Sequence, residues 1–147
     1  MATALLIDTL EERVEAVFGD AGDPMWALDL RALELLWDEE AVTWERDART
    51  FEFWHVSAAA ETALGWPRTR WIVEPGFWAG AVVHPDDRDR ASSTLVAHTN
   101  AGRGFSQSYR ARAADGRVLR LREIVRVVTG DGGAPESVRG VTLVERD

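Results

Sequence analysis

Alternating side-chain character along residues 105–127 limits what this chain can fold into more narrowly than any other feature. Apolar or aromatic residues alternate there with serine and arginine, and such alternation is typical of strands with one buried face. Three strands are predicted at about 104–113, 117–129 and 136–145, with tight-turn signals at Asp115-Gly116 and Asp131-Gly-Gly133 between them. The pattern therefore predicts an antiparallel three-stranded meander.

Two earlier strands are predicted at about 42–44 and 51–56, where aromatic and β-branched residues flank a polar turn. Ser57 is placed to cap a short helix over residues 58–64, which Gly65 would end. This segment is therefore expected to be a β-hairpin followed by a helix.

Residues 66–83 predict short helical turns, because prolines and a glycine interrupt them repeatedly. A longer helix is predicted over about 86–100, with Pro85 suited to its first turn. It is expected to end near Gly102, just before the meander.

The N-terminal region predicts two helices, at 4–18 and about 26–38. The first is amphipathic, since Leu6, Leu10, Val14, Val17 and Phe18 recur at helical spacing. Its opposite face is acidic and carries Asp8, Glu11, Glu12 and Glu15.

Charge and cysteine content exclude several classes of function. The 25 acidic and 17 basic side chains give a net charge of −8, which disfavours binding to nucleic acid and to anionic membranes. With no cysteine, the chain can form neither a disulfide framework nor a thiolate site. There is neither a signal-peptide pattern nor an apolar stretch of about 20 residues, so a soluble, cytoplasmic protein is expected.

Short motifs in a fixed order resemble the PAS sensory fold family, in the subclass with His-Pro-Asp-Asp-Arg and Ala-Asp-Gly-Arg motifs. They are Trp44-Glu-Arg-Asp47, Phe53-Trp-His-Val-Ser57, Glu61, Leu64-Gly-Trp-Pro67, Phe77-Trp78, His84-Pro-Asp-Asp-Arg88, Tyr109-Arg110, Ala114-Asp-Gly-Arg117 and Gly140. The resemblance implies an α+β fold, with a five-stranded antiparallel sheet in the order 2-1-5-4-3 and crossover helices on one face. Residues 1–40 would be a helical extension or cap, and residues 41–147 the PAS domain.

The resemblance also implies a function in signal transduction. PAS domains use the cup between sheet and helices to hold a small molecule, and use the outer sheet face and the N-terminal helix for dimerisation or signalling. Val144-Glu-Arg146 stands where the family usually has Asp-Ile-Thr. We therefore expect a standalone sensory or interaction module, a regulator of bacterial type, that acts as a homodimer on a separate signalling protein such as a histidine kinase or a transcription regulator.

The residues expected to contact a small ligand lie on the strands and the crossover segment. They are Trp44, Phe53, His55, Trp78, Gln107, Tyr109, Leu121 and Glu123. Strand alternation places Glu123 among rings and aliphatic side chains, where a carboxylate must be paired, hydrogen-bonded or raised in pKa. Glu123 is expected to pair with an arginine, to cap a crossover helix or to contact the ligand. His55 is expected to share a face with Phe53, either as a packed ring or as a ligand contact.

The outer sheet face is expected to carry a basic stripe of Arg110, Arg112, Arg120, Arg122 and Arg126. The acidic N-terminal helix could dock on that stripe, within one chain or across a dimer, or both faces could simply be solvated.

Haem or noncovalent flavin is the alternative function, as a redox or gas sensor. His98 stands late in the long helix, where haem-binding PAS domains carry their iron ligand. The three histidines are not spaced as a metal site, and no catalytic motif indicates an enzyme.

Overall fold

The structure is a computed structural model that describes residues 41–145. Within that range the chain forms β1 (Val42–Asp47), β2 (Phe53–Val56), α1 (Ala59–Leu64), α2 (Arg68–Val73), a π-helical turn (Trp78–Val82), α3 (Arg88–Asn100), β3 (Phe105–Arg112), β4 (Val118–Thr129), a 3-10 turn (Asp131–Gly133) and β5 (Pro135–Val144). The helices predicted at 4–18 and 26–38 lie outside the described residues, so the proposed division at residue 40 stays a prediction.

The five strands form one antiparallel sheet in the order β2-β1-β5-β4-β3, which confirms the predicted topology. Side chains from one sheet face and from the helices share a single hydrophobic core. Along β3, buried side chains alternate strictly with half-buried ones, as the sequence predicts. The helices therefore cover one face of the sheet and create the cup.

A β-bulge changes which side chains of β2 reach the cup. Glu45 pairs with His55 and Arg46 pairs with Phe53, so Trp54 is an extra residue in β2. The bulge breaks the period-two alternation, and His55 is exposed while Phe53 is buried. The prediction that His55 shares a face with Phe53 is wrong for this reason.

Three local predictions are corrected by backbone geometry. Ser57 does not cap α1, because its hydroxyl accepts a hydrogen bond from the Thr43 amide at 3.0 Å. Phe51 is not in β2, since it has a φ of 61° in the turn between the strands. The long helix begins at Arg88 and not at residue 86, because the preceding residues form a turn. Gly65 does end α1, in the left-handed conformation that glycine favours.

The turn before α3 is fastened to the sheet by Asp87. Its carboxylate accepts hydrogen bonds from the Arg110 backbone amide at 2.8 Å and from Nε and Nη2 of the Arg110 guanidinium at 3.0 and 2.8 Å. These bonds hold the pKa of Asp87 far below its usual value. Arg110 is thus engaged at the sheet edge, and it ties α3 to β3.

The indole ring of Trp44 on β1 lies over Gly140, the residue directly paired with it on β5. A Cβ atom at residue 140 would overlap the indole ring of Trp44. The indole Nε1 donates to Thr142 Oγ1 at 2.8 Å, which fixes the ring over the glycine. The glycine is therefore required by packing, since its φ is not in the left-handed region.

We expect Gly140→Ala to destabilise the fold by about 2–4 kcal/mol, because Trp44 must move and loses its bond to Thr142. Urea unfolding followed by tryptophan fluorescence would measure this loss. Gly80→Ala is the matched control, since a Cβ there meets nothing within 4 Å. Equal stability of the two variants would contradict the packing role of Gly140.

Candidate functional site

The cup brings together seven of the eight residues predicted to bind a ligand. Trp44, Phe53, Trp78, Gln107, Tyr109, Leu121 and Glu123 are all buried on the side of the sheet that faces the helices. His55 alone lies away from them, at an exposed position beyond the bulge. The sequence therefore predicts which side chains share the cup, apart from the one displaced by the bulge, and their binding of a ligand stays a prediction.

The interior of the cup is almost filled by the protein's own side chains. A cavity of about 10 Å³ lies among Trp44, Phe53, Trp71, Trp78 and Tyr109, which is about the space that one water molecule needs. The rings meet edge to face, at centroid distances of 5.6–5.9 Å. Trp78 Nε1 donates to the Tyr109 hydroxyl at 3.0 Å, so these two polar atoms are also satisfied inside the cup.

Arg46 supplies much of this filling, although no role was predicted for it from the sequence. Its guanidinium carbon lies 4.3 Å from the ring centroid of Phe53 and 4.9 Å from that of Trp78. Nε donates to the Phe51 carbonyl oxygen at 2.9 Å. Burial lowers the pKa of Arg46 to about 10, which Glu123 and Tyr109 partly oppose. Strand alternation could have predicted this position, because Arg46 is two residues beyond Trp44 on β1 and so faces the same side of the sheet.

Glu123 is buried on β4 and pairs directly across the sheet with Gln107. Gln107 Nε2 donates to Glu123 Oε1 at 2.9 Å and to the Ala91 carbonyl oxygen of α3 at 3.2 Å. Burial raises the pKa of Glu123 to about 7, while Gln107 and Arg46 act in the opposite direction. Glu123 was expected to pair with an arginine, to cap a helix or to contact a ligand. Arg46 is near enough to lower the pKa of Glu123 through its charge, but the hydrogen-bond partner of Glu123 is Gln107.

A second space, the side cleft, opens beside the cup between the β1–β2 turn and α2. It measures about 130 Å³, and its walls include Arg46, Phe51, Phe53, Trp71, Phe77 and Trp78. Four of these residues, Arg46, Phe53, Trp71 and Trp78, also border the small interior cavity. The side cleft therefore adjoins the cup, and these four side chains separate the two spaces.

Trp71, a residue that lines the side cleft, also has an unsatisfied donor. Its indole Nε1 is buried, and within residues 41–145 no acceptor lies in hydrogen-bond reach. A buried donor without a partner costs free energy and is uncommon in folded proteins. Trp71 was not among the residues predicted to bind a ligand, because an aromatic residue in a short helix gives no signal beyond core packing.

Backbone strain is also located at this cleft. Phe51 has a φ of 61°, a conformation that costs a side chain about 1–2 kcal/mol relative to the right-handed region. Its carbonyl oxygen holds Arg46, and its own amide donates to the Asp47 carbonyl oxygen at 2.9 Å. The strained residue therefore aims its carbonyl oxygen at the buried guanidinium.

His98 does not line the cup interior or the side cleft. Its Nδ1 lies 2.9 Å from the Thr94 carbonyl oxygen, and its ring packs on Phe105 at 4.8 Å between centroids. Sites for drug-sized ligands usually measure about 300–1,000 Å³, far more than the interior cavity offers. The present arrangement of side chains therefore does not fit a haem or a flavin in the cup.

Two further observations concern the described part of the chain. No helix between residues 41 and 145 is long and apolar enough to span a membrane. Over the same residues, no group of three or more histidine or carboxylate side chains is arranged to hold a metal ion.

Known structures share this fold. The N-terminal domain of a diguanylate cyclase with a PAS/PAC sensor from Marinobacter aquaeolei is 31% identical, with a TM-score of 0.64 over 69% of this chain and 92% of that chain. A domain of a histidine kinase from Haloarcula marismortui, described as light and redox sensing, is 20% identical, with a TM-score of 0.62 over 79% of this chain and 98% of that chain.

A sensory box histidine kinase/response regulator from Burkholderia thailandensis is also similar, at 20% identity and a TM-score of 0.58 over 78% of this chain and 81% of that chain. No curated protein has a sequence that matches this chain. Residues 53–142, more than half of the chain, match the family described as the PAS fold. Together with the sheet order and the 31% identical cyclase domain, this match shows that the chain belongs to the PAS family.

Proposed function

We propose that this PAS domain is a sensory and interaction module in signal transduction, which works through association and small-ligand binding and not as an enzyme. The observation that carries the proposal is the filled cup, which leaves about 10 Å³ of interior space. Because the cup interior of residues 41–145 is filled, we look for the input at other surfaces of the described part of the chain. Within residues 41–145, the side cleft and the outer face of the sheet are the surfaces that we assign to this role.

The outer face has an apolar centre that is separate from the main core. Ile124, Val141 and Leu143 are at most 3% exposed, yet they are not part of the core cluster that the helices cover. Ile124 and Val141 are direct partners across β4 and β5. Apolar residues on the face away from the helices support the proposal that another segment or another protein docks on that face.

We assign the covering segment to residues 1–20, which lie outside the described residues. Their sequence combines an apolar stripe with five acidic residues, and the outer face combines apolar side chains with arginines such as Arg112 and Arg120. Opposite charges around matched apolar surfaces favour docking in one register. The same surfaces exchanged between two copies would form a homodimer.

The similar domains support a signalling context. Those of Haloarcula marismortui and Burkholderia thailandensis come from histidine kinases, and that of Marinobacter aquaeolei comes from a diguanylate cyclase. By this likeness, we propose a separate signalling protein, such as a histidine kinase or a transcription regulator, as the partner of this bacterial-type module. The proposed location is the cytoplasm.

A haem or flavin sensor remains the competing function, and absorption separates the two. We expect the freshly purified full-length protein to have no absorption band above about 350 nm, because the cup has no space for either group. A visible or near-ultraviolet band that disappears in His98→Ala would overturn this expectation in favour of haem. A band that persists in that variant would favour flavin.

Removal of residues 1–20 tests the association. We expect the full chain to be a dimer, and the shortened chain to be a monomer that melts about 5–15 °C lower, since the apolar outer face becomes exposed. Light scattering after size-exclusion chromatography and thermal unfolding would measure both changes. An unchanged mass and melting temperature would contradict the proposal, as would a monomeric full chain.

Glu123 provides a test of the interior as a closed structural core. Because its folded-state pKa of about 7 exceeds the usual value, stability should fall as pH rises from about 4.5 to 7, by up to about 3 kcal/mol, and then level off. Glu123→Gln should remove this slope and be more stable than the native protein at pH 8. Urea unfolding across this pH range would show it.

Glu52→Gln, a change at an exposed carboxylate, is the control and should retain the slope. An equal slope in Glu123→Gln and in the native protein would show that Glu123 is not the buried titrating group.

A further inference from the structure

We propose that the side cleft binds a small organic monocarboxylate, with Arg46 and Trp71 as the donors to its carboxylate and the aromatic walls in contact with its apolar part. This inference rests on the proposed function in one respect, since it names the chemical class of the small ligand. It depends on two residues that line the cleft: within residues 41–145, no carboxylate forms an ion pair with Arg46, and the buried Nε1 of Trp71 has no acceptor.

Arg46 is a buried cation, and among the described residues no carboxylate is paired with it. Its side chain is 7% exposed, and its described hydrogen bond goes from Nε to the Phe51 carbonyl oxygen. In the range 41–145 no carboxylate forms an ion pair with it, although Glu123 acts on it from a greater distance. Buried charges in proteins are normally paired, because an uncompensated charge is costly to desolvate. The terminal nitrogens are therefore suited to an anion that arrives from the side cleft.

Trp71 is the second donor in this proposal. Within residues 41–145 its Nε1 is buried without an acceptor, and Trp71 is among the residues that line both the side cleft and the interior cavity. An indole N–H donates and never accepts, so only an acceptor can satisfy it. A guanidinium and an N–H together match a carboxylate, which has two acceptor oxygens.

The size and walls of the cleft restrict the rest of the ligand. Its volume is about 130 Å³, and an apolar cavity of about 150 Å³ is known to hold a benzene molecule. Phe51, Phe53 and Phe77 provide aromatic surface on the walls. A ligand of roughly the size of benzoate therefore fits, whereas a nucleotide does not.

The surrounding charges select a monoanion. Glu52 and Glu74 also line the cleft, and Glu74 is paired with Arg70 at 2.9 Å. These acidic side chains disfavour a second negative charge on the ligand. A cationic ligand is disfavoured as well, because the guanidinium of Arg46 already occupies the place among the rings where a cation would be attracted.

Benzoate is the probe that tests this site, with two molecules of the same shape as comparisons. Benzamide is neutral and benzamidine is cationic. For the full-length protein we expect benzoate to bind with a Kd of about 0.1–1 mM, which suits a ligand of this few atoms. Benzamide should bind at least about tenfold more weakly, and benzamidine should not bind. Titration by calorimetry or by NMR chemical shifts would measure this.

Variants assign the binding to the two donors. Arg46→Met retains the volume and removes the charge, and should lower benzoate affinity by about 10- to 100-fold. Arg46→Lys retains the positive charge but lacks the paired N–H donors of the guanidinium, so it should lower benzoate affinity less than Arg46→Met does. It replaces Arg46→Met in the test if that variant does not fold. Trp71→Phe should lower affinity by about three- to tenfold. Arg49→Met, an exposed position on the same turn, is the control and should bind as the native protein does.

The outcomes separate this inference from the proposed function. Equal affinities for benzoate and benzamide, a better affinity for benzamidine, or unchanged binding in the folded Arg46 variants would overturn the inference. Absence of benzoate binding up to about 10 mM would do the same. The proposed function would then still stand if the chain dimerises through residues 1–20, whereas a monomeric chain that binds benzoate as expected would contradict the association alone.

Discussion

The guanidinium of Arg46 among the rings of the cup is the interaction on which the rest of this structure depends. It occupies the centre of the space that the fold encloses, at 4.3 Å from the Phe53 ring and 4.9 Å from the Trp78 ring. Its Nε also fixes the Phe51 carbonyl oxygen, and so holds that residue in a strained conformation. This side chain therefore fills the interior and contributes to the conformation of the β1–β2 turn, together with the Asp47 carboxylate, which accepts hydrogen bonds from the Arg49 and Thr50 amides.

The sheet could be predicted because its signals are local and repeat along the chain. Alternation along β3, together with turn residues between the later strands, determines which strands pair and which face is buried. His55 could not be placed in the same way, since a bulge adds one residue to β2 and reverses the faces beyond it. A bulge has no reliable sequence signal, and one extra residue is enough to move a side chain out of the site.

The interior was harder to predict because charge and position gave opposite indications for Arg46. Its position two residues after Trp44 places it in the cup, but arginines are rarely buried without a partner. Glu123 was predicted correctly as a buried polar group, yet its hydrogen-bond partner could not be known. Gln107 lies 16 residues earlier in the chain, and the pairing depends on the strand register that the fold establishes.

Membership of the PAS family fixes the backbone but leaves the cup's contents to the side chains. The side cleft and the outer sheet face meet at one point of this backbone, because Arg46 and Glu45 are neighbours on β1. Arg46 borders the side cleft, and Glu45 accepts a hydrogen bond from Arg139 on β5. The bulge shift falls between these two residues, where the ladder is irregular. The ligand proposed for Arg46 would therefore act beside this bulge, one residue from the ion pair between Glu45 and Arg139.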